Sequence, residues 1–168
     1  MRRAPRAFAA AALLAAALSL AACTGPPRRA ASPPPDTGAA MAALAVSLVG
    51  TPYQFGGADA AGFDCSGLAL YVHARMGIAI PRTAREQQQT AHPVGLAALA
   101  PGDLIFFRMR SRRVDHVGVY VGDGRFVHAP RAGGAVAYGE LGDSGYYRTR
   151  VAGAGRFWDG PAPRAPPR

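Results

Sequence analysis

Three residues of this chain have types and spacing that could carry out covalent catalysis: Cys65, His116 and His128. An ionised thiol can attack a carbonyl carbon, and an imidazole within hydrogen-bond reach can take the thiol proton. A second polar group can then orient that imidazole and stabilise its charged form. A lone buried cysteine is more often structural, and a lone histidine is more often a core or surface residue. The elements around these three residues therefore decide the interpretation.

Cys65 is expected in the first turn of a helix. Asp64 offers an N-cap side chain, residues 65–76 carry apolar side chains at helical spacing, and Gly77 is a typical C-terminal stop. Because the unpaired amides and the dipole at a helix start favour a thiolate, we expect the pKa of Cys65 below its ordinary value of about 8.5. The same amides could donate hydrogen bonds to an oxyanion. Another helix is predicted over residues 39–49.

The second half of the chain changes to the alternating pattern of strands. We predict strands over residues 104–107, 116–121 and 125–128. His116 and His128 lie in the last two of these, which should form a hairpin. His73, two turns along the predicted helix from Cys65, is assigned to a structural or surface position, and so is His92, in a polar loop.

The turn of this hairpin decides whether the two imidazoles meet. With a three-residue Gly-Asp-Gly loop, Val121 pairs with Arg125 and His128 faces Gly118. His116 then lies two residues away on the same face, and Gly118 leaves room for the rings. A two-residue loop would shift the register by one residue and place the rings on opposite faces.

Cys23 ends an N-terminal segment that resembles the signal peptide of bacterial lipoproteins. Its apolar stretch, residues 7–22, is shorter than the roughly 20 residues of a membrane span and closes on Leu-Ala-Ala-Cys. We expect Cys23 to be acylated, and the alternative is an ordinary signal peptide cleaved near Ala22. Acylation would leave Cys65 without a disulfide partner. With Thr24 rather than Asp after it, the segment resembles lipoproteins sorted to the outer membrane, so for an organism with two membranes we expect anchoring there, facing the periplasm.

We expect one folded domain, because 168 residues allow a single core once the leader is set aside. The predicted organisation is a signal peptide over 1–22, a lipidated Cys and Pro-rich tether over 23–38, the domain over 39–160 and a disordered Pro/Arg-rich tail over 161–168. In an extended polyproline conformation the tether could hold the domain ~40 Å from the membrane.

The formal net charge of +9 raises the question of a nucleic-acid partner. Nucleic-acid binding requires clustered basic side chains, whereas we expect the arginines to be dispersed. We therefore predict no nucleic-acid partner, while the charge is compatible with anionic wall polymers or lipid head groups. Seven arginines are predicted outside the domain: Arg2, Arg3, Arg6, Arg28, Arg29, Arg164 and Arg168.

Six motifs occur in series: YQFGG (53–57), GFDCSG (62–67), IPRT (80–83), LAPGDL (99–104), DHVGVY (115–120) and FVHA (126–129). In order and spacing they resemble the NlpC-type cell-wall peptidases over residues 41–157. One departure is the loop 57–63, which has Ala-Ala where the family often has Pro. The resemblance implies a papain-like α+β fold in which the nucleophile helix packs on a mostly antiparallel sheet.

The resemblance also implies hydrolysis of peptide bonds in peptidoglycan stems. Cys65 would be the nucleophile, His116 the base and then the acid, and His128 the orienting residue. Tyr53 matches a site tyrosine of the family, whose hydroxyl would assist the oxyanion. Asp64 and Ser66 could contact substrate, or act locally as a helix cap and first-turn residue.

Other predictions and alternatives concern partners and the reaction. Arg82 could bind a stem carboxylate or form a surface salt bridge, and Thr83 and Glu86 predict a capping box on a short helix ending at Gln89. We expect a monomer that uses no metal or organic cofactor. The alternatives are a related Cys/His amidase or acyltransferase and a non-catalytic wall-binding lipoprotein. The sequence does not decide between a bond within one stem and a cross-link.

Overall fold

The computed structural model describes residues 37–158. The predicted signal peptide, Cys23, nearly all of the tether and the tail lie outside the described residues. Within residues 37–158 no helix combines the length and apolar character needed to cross a membrane. The helices are α1 (Thr37–Ser47), α2 (Cys65–Arg75) and α3 (Ala84–Thr90), with short 3-10 turns at Leu96–Ala98, Arg131–Gly133 and Arg148–Arg150. The strands are β1 (Ala58–Asp59), β2 (Gly62–Phe63), β3 (His92–Val94), β4 (Leu104–Phe107), β5 (His116–Gly122), β6 (Arg125–His128), β7 (Ala137–Glu140) and β8 (Val151–Arg156).

Helix α2 begins as predicted. Asp64 has extended backbone angles, and its side chain accepts a hydrogen bond from the Gly67 amide at 2.7 Å. This bond satisfies one of the unpaired amides of the first turn, which fixes the helix start at Cys65. The helix ends at Arg75, one residue before the predicted end. The predicted capping box on α3 is also present, between Thr83 and Glu86.

Six strands form an antiparallel sheet in the order β3-β8-β4-β5-β6-β7, and β1 and β2 form a separate hairpin. The last strand in sequence, β8, lies between β3 and β4, so this sheet requires a long-range pairing that local pattern does not reveal. Together with α1 and α2 the sheet gives the expected α+β arrangement.

The two faces of the sheet bury different residues. Phe106, Val117 and Val127 belong to the main core, which also contains Met41 of α1 and Leu68 of α2. The opposite face carries a smaller buried cluster of Ile105, Phe107, Phe126 and Leu141. Since paired residues on antiparallel strands share a face, the pairing of Phe107 with His116 puts this imidazole on the face of the smaller cluster.

The turn of the β5–β6 hairpin differs from the predicted three-residue loop, but the two histidines still lie on one face of the sheet, as predicted. Gly122, not Val121, pairs with Arg125, so the loop is Asp123-Gly124. Both loop residues have positive φ, +51° and +70°, as expected in a tight hairpin turn. The two-residue loop alone would shift the pairing by one residue, but an irregularity between Tyr120 and Gly122 offsets this shift. Val119 therefore pairs with Val127 as the three-residue loop predicted, and the histidines stay on one face.

Candidate active site

The thiol and both histidines meet in one pocket. Cys65, at the first position of α2, is half-buried and lines a pocket of about 560 Å³ with His116 and His128. The backbone amide of Val117 acts on the Cys65 thiol, so the start of α2 lies beside the start of β5. The pocket also contains Tyr53 and Tyr147.

The two imidazoles are hydrogen-bonded to each other. His116 Nε2 lies 2.7 Å from His128 Nδ1, and the rings meet edge to face. His128 Nε2 lies 3.3 Å from the Tyr147 hydroxyl. Because His116 uses Nε2 for His128, its Nδ1 is the nitrogen left for the thiol proton. Within the described residues no hydrogen bond joins Cys65 to His116, a bond that often tightens only when substrate binds.

Gly118 does not leave room for the two imidazoles, contrary to the sequence interpretation. A Cβ at this position would lie 2.5 Å from Cδ2 of Phe126, so the space above Gly118 holds the Phe126 ring. The ring centroid of Phe126 lies 5.1 Å from that of His128 and 5.0 Å from that of Tyr147. The Phe126 ring therefore packs against the rings of both His128 and Tyr147.

The pKa of Cys65 is raised, which overturns the expected lowering. Burial is the largest cause, and the nearby Asp64 carboxylate adds to it. The backbone amides of Val117, Ser66 and Cys65 itself act in the opposite direction but are outweighed. Desolvation of the thiolate therefore exceeds the stabilisation that the helix start provides.

Both imidazoles have lowered pKa values. Burial disfavours the charged form of His116, and the Arg110 guanidinium lowers its pKa further, against the effect of Asp115. For His128 the causes are burial and then the neighbouring His116. All three shifts favour a neutral thiol and neutral imidazoles.

The side chains of Asp64, Ser66 and Arg82 form a hydrogen-bonded cluster at the first turn of α2. Arg82 donates to both Asp64 oxygens at 3.0 and 2.6 Å and to the Ser66 hydroxyl at 2.9 Å. Burial would raise the pKa of Asp64, but the hydrogen bonds from Arg82 and the Gly67 amide lower it. The helix-cap role of Asp64 and a salt bridge of Arg82 are thus both present. Asp64 and Ser66 line the pocket, and their contact with substrate stays a prediction.

Tyr53 is half-buried in the wall of the same pocket. Burial raises the pKa of its hydroxyl, and Cys65 and Asp64 raise it further, whereas Arg131 and Arg110 oppose them. The hydroxyl therefore stays protonated and able to donate a hydrogen bond. This state suits the predicted oxyanion role, which the geometry does not test.

The remaining histidines lie away from the pocket lining. His73 is buried on α2, its Nδ1 lies 2.8 Å from the Ala69 carbonyl oxygen, and it packs against Phe157. It is a core histidine, the first of the two predicted alternatives, a structural or a surface position. His92 is the first residue of β3 and pairs with Arg156, so its assignment to a loop was wrong. Among residues 37–158 no cluster of three or more His, Cys, Asp or Glu side chains could hold a metal ion.

Two features of the pocket were missed by the sequence interpretation. Tyr147 comes from the segment before Arg148–Arg150 and reaches His128 only through the tertiary fold. The β4–β5 loop carries four arginines within residues 108–113, so the arginines are not fully dispersed. This charge cluster was visible in the sequence, whereas no sequence signal marks Tyr147.

Comparison with known proteins places the chain in a family. The NlpC/P60 family model matches residues 50–156, and the chain belongs to this family. It is 42% identical over 113 residues to the murein DD-endopeptidase MepH of Escherichia coli, covering 64% of this chain and 41% of that protein. It is 38% identical over 116 residues to the bifunctional muramidase/DL-endopeptidase CwlT of Bacillus subtilis, covering 67% of this chain and 34% of that protein. The chain thus spans less than half the length of these relatives.

The solved structures support the papain-like fold class. A crystal structure of an NlpC/P60 family protein from Bacillus cereus superposes with a TM-score of 0.67 at 34% identity. The match covers 73% of this chain and 40% of that chain. The helix and antiparallel sheet described above are therefore those of the family.

Proposed function

We propose that this chain is a peptidoglycan endopeptidase that hydrolyses amide bonds of stem peptides with Cys65 as nucleophile. The single observation that carries the proposal is the common pocket of Cys65 and the hydrogen-bonded pair His116 and His128. Family membership and relatives named as a murein DD-endopeptidase and a DL-endopeptidase support the substrate class.

The first step is attack of the Cys65 sulfur on the scissile carbonyl carbon. As the C–S bond forms, His116 Nδ1 takes the thiol proton, and His128 orients the resulting imidazolium through Nε2. The carbonyl oxygen becomes an oxyanion, for which the Tyr53 hydroxyl and the first-turn amides of α2 are the proposed donors. The raised pKa of the thiol and the lowered pKa of the imidazole favour the neutral pair, so in the proposed reaction proton transfer accompanies attack.

The second half of the reaction returns the enzyme to its starting state. The C–N bond breaks as His116 gives its proton to the leaving amine, which leaves a thioester on Cys65. His116 then takes a proton from water, whose oxygen attacks the thioester carbon. Collapse of this intermediate releases the carboxylic acid, and the Cys65 sulfur regains its proton from His116.

The proposal includes export and a lipid anchor. Cys23 as acylated N-terminus would hold the domain near a membrane, and the Pro-rich tether would extend its reach toward the wall. Metabolic labelling with a clickable fatty acid tests the anchor. Wild type should carry the label and Cys23→Ser should not. Equal labelling of the two proteins would show that Cys23 is not the acylated residue.

Mass spectrometry of products from a defined cross-linked muropeptide tests the activity. Wild type should release two fragments whose masses sum to the mass of the parent plus one water, and the individual masses would assign the bond as within a stem or at the cross-link. Cys65→Ala should release none. Identical products from Cys65→Ala, or none from wild type, would refute the proposed reaction.

A further inference from the structure

Three arginines from three separate segments surround the opening of the active-site pocket. Arg85 lies in the first turn of α3, Arg110 in the β4–β5 loop, and Arg131 in the turn after β6, and all three line the pocket. All three are exposed. Within residues 37–158 none of these guanidiniums forms a salt bridge. We call these three residues the arginine rim.

The carboxylates of the pocket only partly neutralise the arginine rim. Asp64 is already paired with Arg82. Asp115 accepts hydrogen bonds from the backbone amides of Met109 and Arg110, at 2.7 and 2.9 Å, and keeps its negative charge. Asp64 and Asp115 are the only acidic side chains among the described residues that line the pocket. Three guanidiniums therefore face one carboxylate that forms no salt bridge within residues 37–158, and the opening carries an excess of positive charge.

The field of the arginine rim reaches the reacting groups. Arg131 and Arg110 both act to lower the pKa of the Tyr53 hydroxyl, and Arg110 also lowers that of His116. A ligand at Cys65 would occupy the pocket that all three guanidiniums line.

We propose that the arginine rim binds free carboxylates of the stem peptide, so that the enzyme selects stems with carboxylates over stems in which these groups are carboxamides. The inference rests on the proposed function. A γ-linked glutamyl residue keeps its α-carboxylate free, and a diaminopimelate residue adds further carboxylates. Guanidinium groups bind carboxylates through paired charged hydrogen bonds, whereas a carboxamide offers one neutral acceptor and no charge.

The test measures binding before turnover. The probes are the peptide L-Ala-γ-D-Glu-diaminopimelate and the same peptide with its carboxylates converted to carboxamides. Titration calorimetry with full-length Cys65→Ala in detergent should give about tenfold tighter binding of the carboxylate form, and added salt should reduce the difference. Arg110→Gln and Arg131→Gln in this background should each weaken carboxylate binding about fivefold and leave the carboxamide unchanged.

Arg112→Gln is the matched control, because it removes the same charge from the same loop at a position that does not line the pocket. It should leave both affinities unchanged. Equal binding of the two peptides, or an Arg112→Gln effect as large as that of Arg110→Gln, would overturn the inference. If Cys65→Ala binds the carboxylate peptide selectively but wild type cleaves nothing, the proposed function is refuted, whereas carboxylate binding by the arginine rim is supported.

Discussion

The hydroxyl of Tyr147 extends the hydrogen-bonded pair of imidazoles by one residue. We propose that its contact with His128 Nε2 fixes which His128 nitrogen faces His116, which would make Tyr147 a positioning residue. Phe107 and Phe126 hold its ring in the smaller cluster. The proposed unit is therefore a series of buried and half-buried side chains that ends in a phenol.

Tyr147→Phe should lower kcat about threefold to tenfold and leave KM nearly unchanged. The substitution removes one hydrogen bond, with a value of about 0.5–1.5 kcal/mol, while the ring keeps its packing. Steady-state kinetics on a muropeptide measures the effect. Tyr146→Phe is the control, since Tyr146 lines the same pocket and no hydrogen bond from its hydroxyl is present among the described residues. Equal losses of kcat in Tyr147→Phe and Tyr146→Phe would show that Tyr147 does not position His128.

The raised pKa of Cys65 predicts the pH dependence of thiol modification. Burial and Asp64 favour the neutral thiol, so the rate of inactivation by iodoacetamide should still be rising above pH 8.5, the ordinary range of a cysteine. The pseudo-first-order rate measured from pH 5 to 10 checks this. A plateau already reached at neutral pH would contradict it and would indicate a resting thiolate–imidazolium pair.

At the scale of elements, the β5–β6 hairpin holds the imidazole pair in register. Asp123-Gly124 makes the tight turn, and the irregularity before Gly122 restores the register that brings His116 beside His128. Phe126 then fills the space over Gly118 on that face. The close approach of this ring requires a residue without a side chain at position 118.

Gly118→Ala should therefore impair both stability and catalysis. Its Cβ would lie 2.5 Å from the Phe126 ring, and relieving the overlap must shift the support of His128. We expect a loss of about 1–3 kcal/mol in the free energy of unfolding and a lowered kcat. Denaturant unfolding and kinetics measure these. Gly95→Ala, where nothing lies within 4 Å, should change neither. A fully active and stable Gly118→Ala would contradict the packing account.

Local sequence signals predicted the elements that carry the site. The Asp64 cap, the Thr83–Glu86 capping box and strand β5 were each predicted from residues a few positions apart, and all three are present. The place of β8 inside the sheet and the contact of Tyr147 with His128 depend on distant pairings. The raised pKa of Cys65 was missed because burial, a tertiary property, exceeds the local effect of the helix start.

At the scale of the whole molecule, folding keeps three histidines neutral. Burial lowers the pKa of His73 to about 4, and it also lowers those of His116 and His128. In the unfolded chain these groups take up protons near pH 6.5. Stability from these groups is therefore fully present above pH 6.5 and is lost as pH falls toward 4.

His73→Leu isolates one of these contributions away from the active site. The free energy of unfolding of wild type should fall between pH 6.5 and 4, and each buried histidine contributes up to about 1.4 kcal/mol per pH unit. Urea titrations at several pH values should show a shallower fall for His73→Leu. An unchanged slope would mean that His73 is not held neutral by the fold.

The central claim is that Cys65 and His116 act as one catalytic unit, and the kcat of Cys65→Ala, His116→Ala and the double variant on one muropeptide tests it most directly. Residues that act in one step are not additive, so each single variant should lose nearly as much activity as the double variant. Substantial turnover by Cys65→Ala, or losses that multiply in the double variant, would contradict the account.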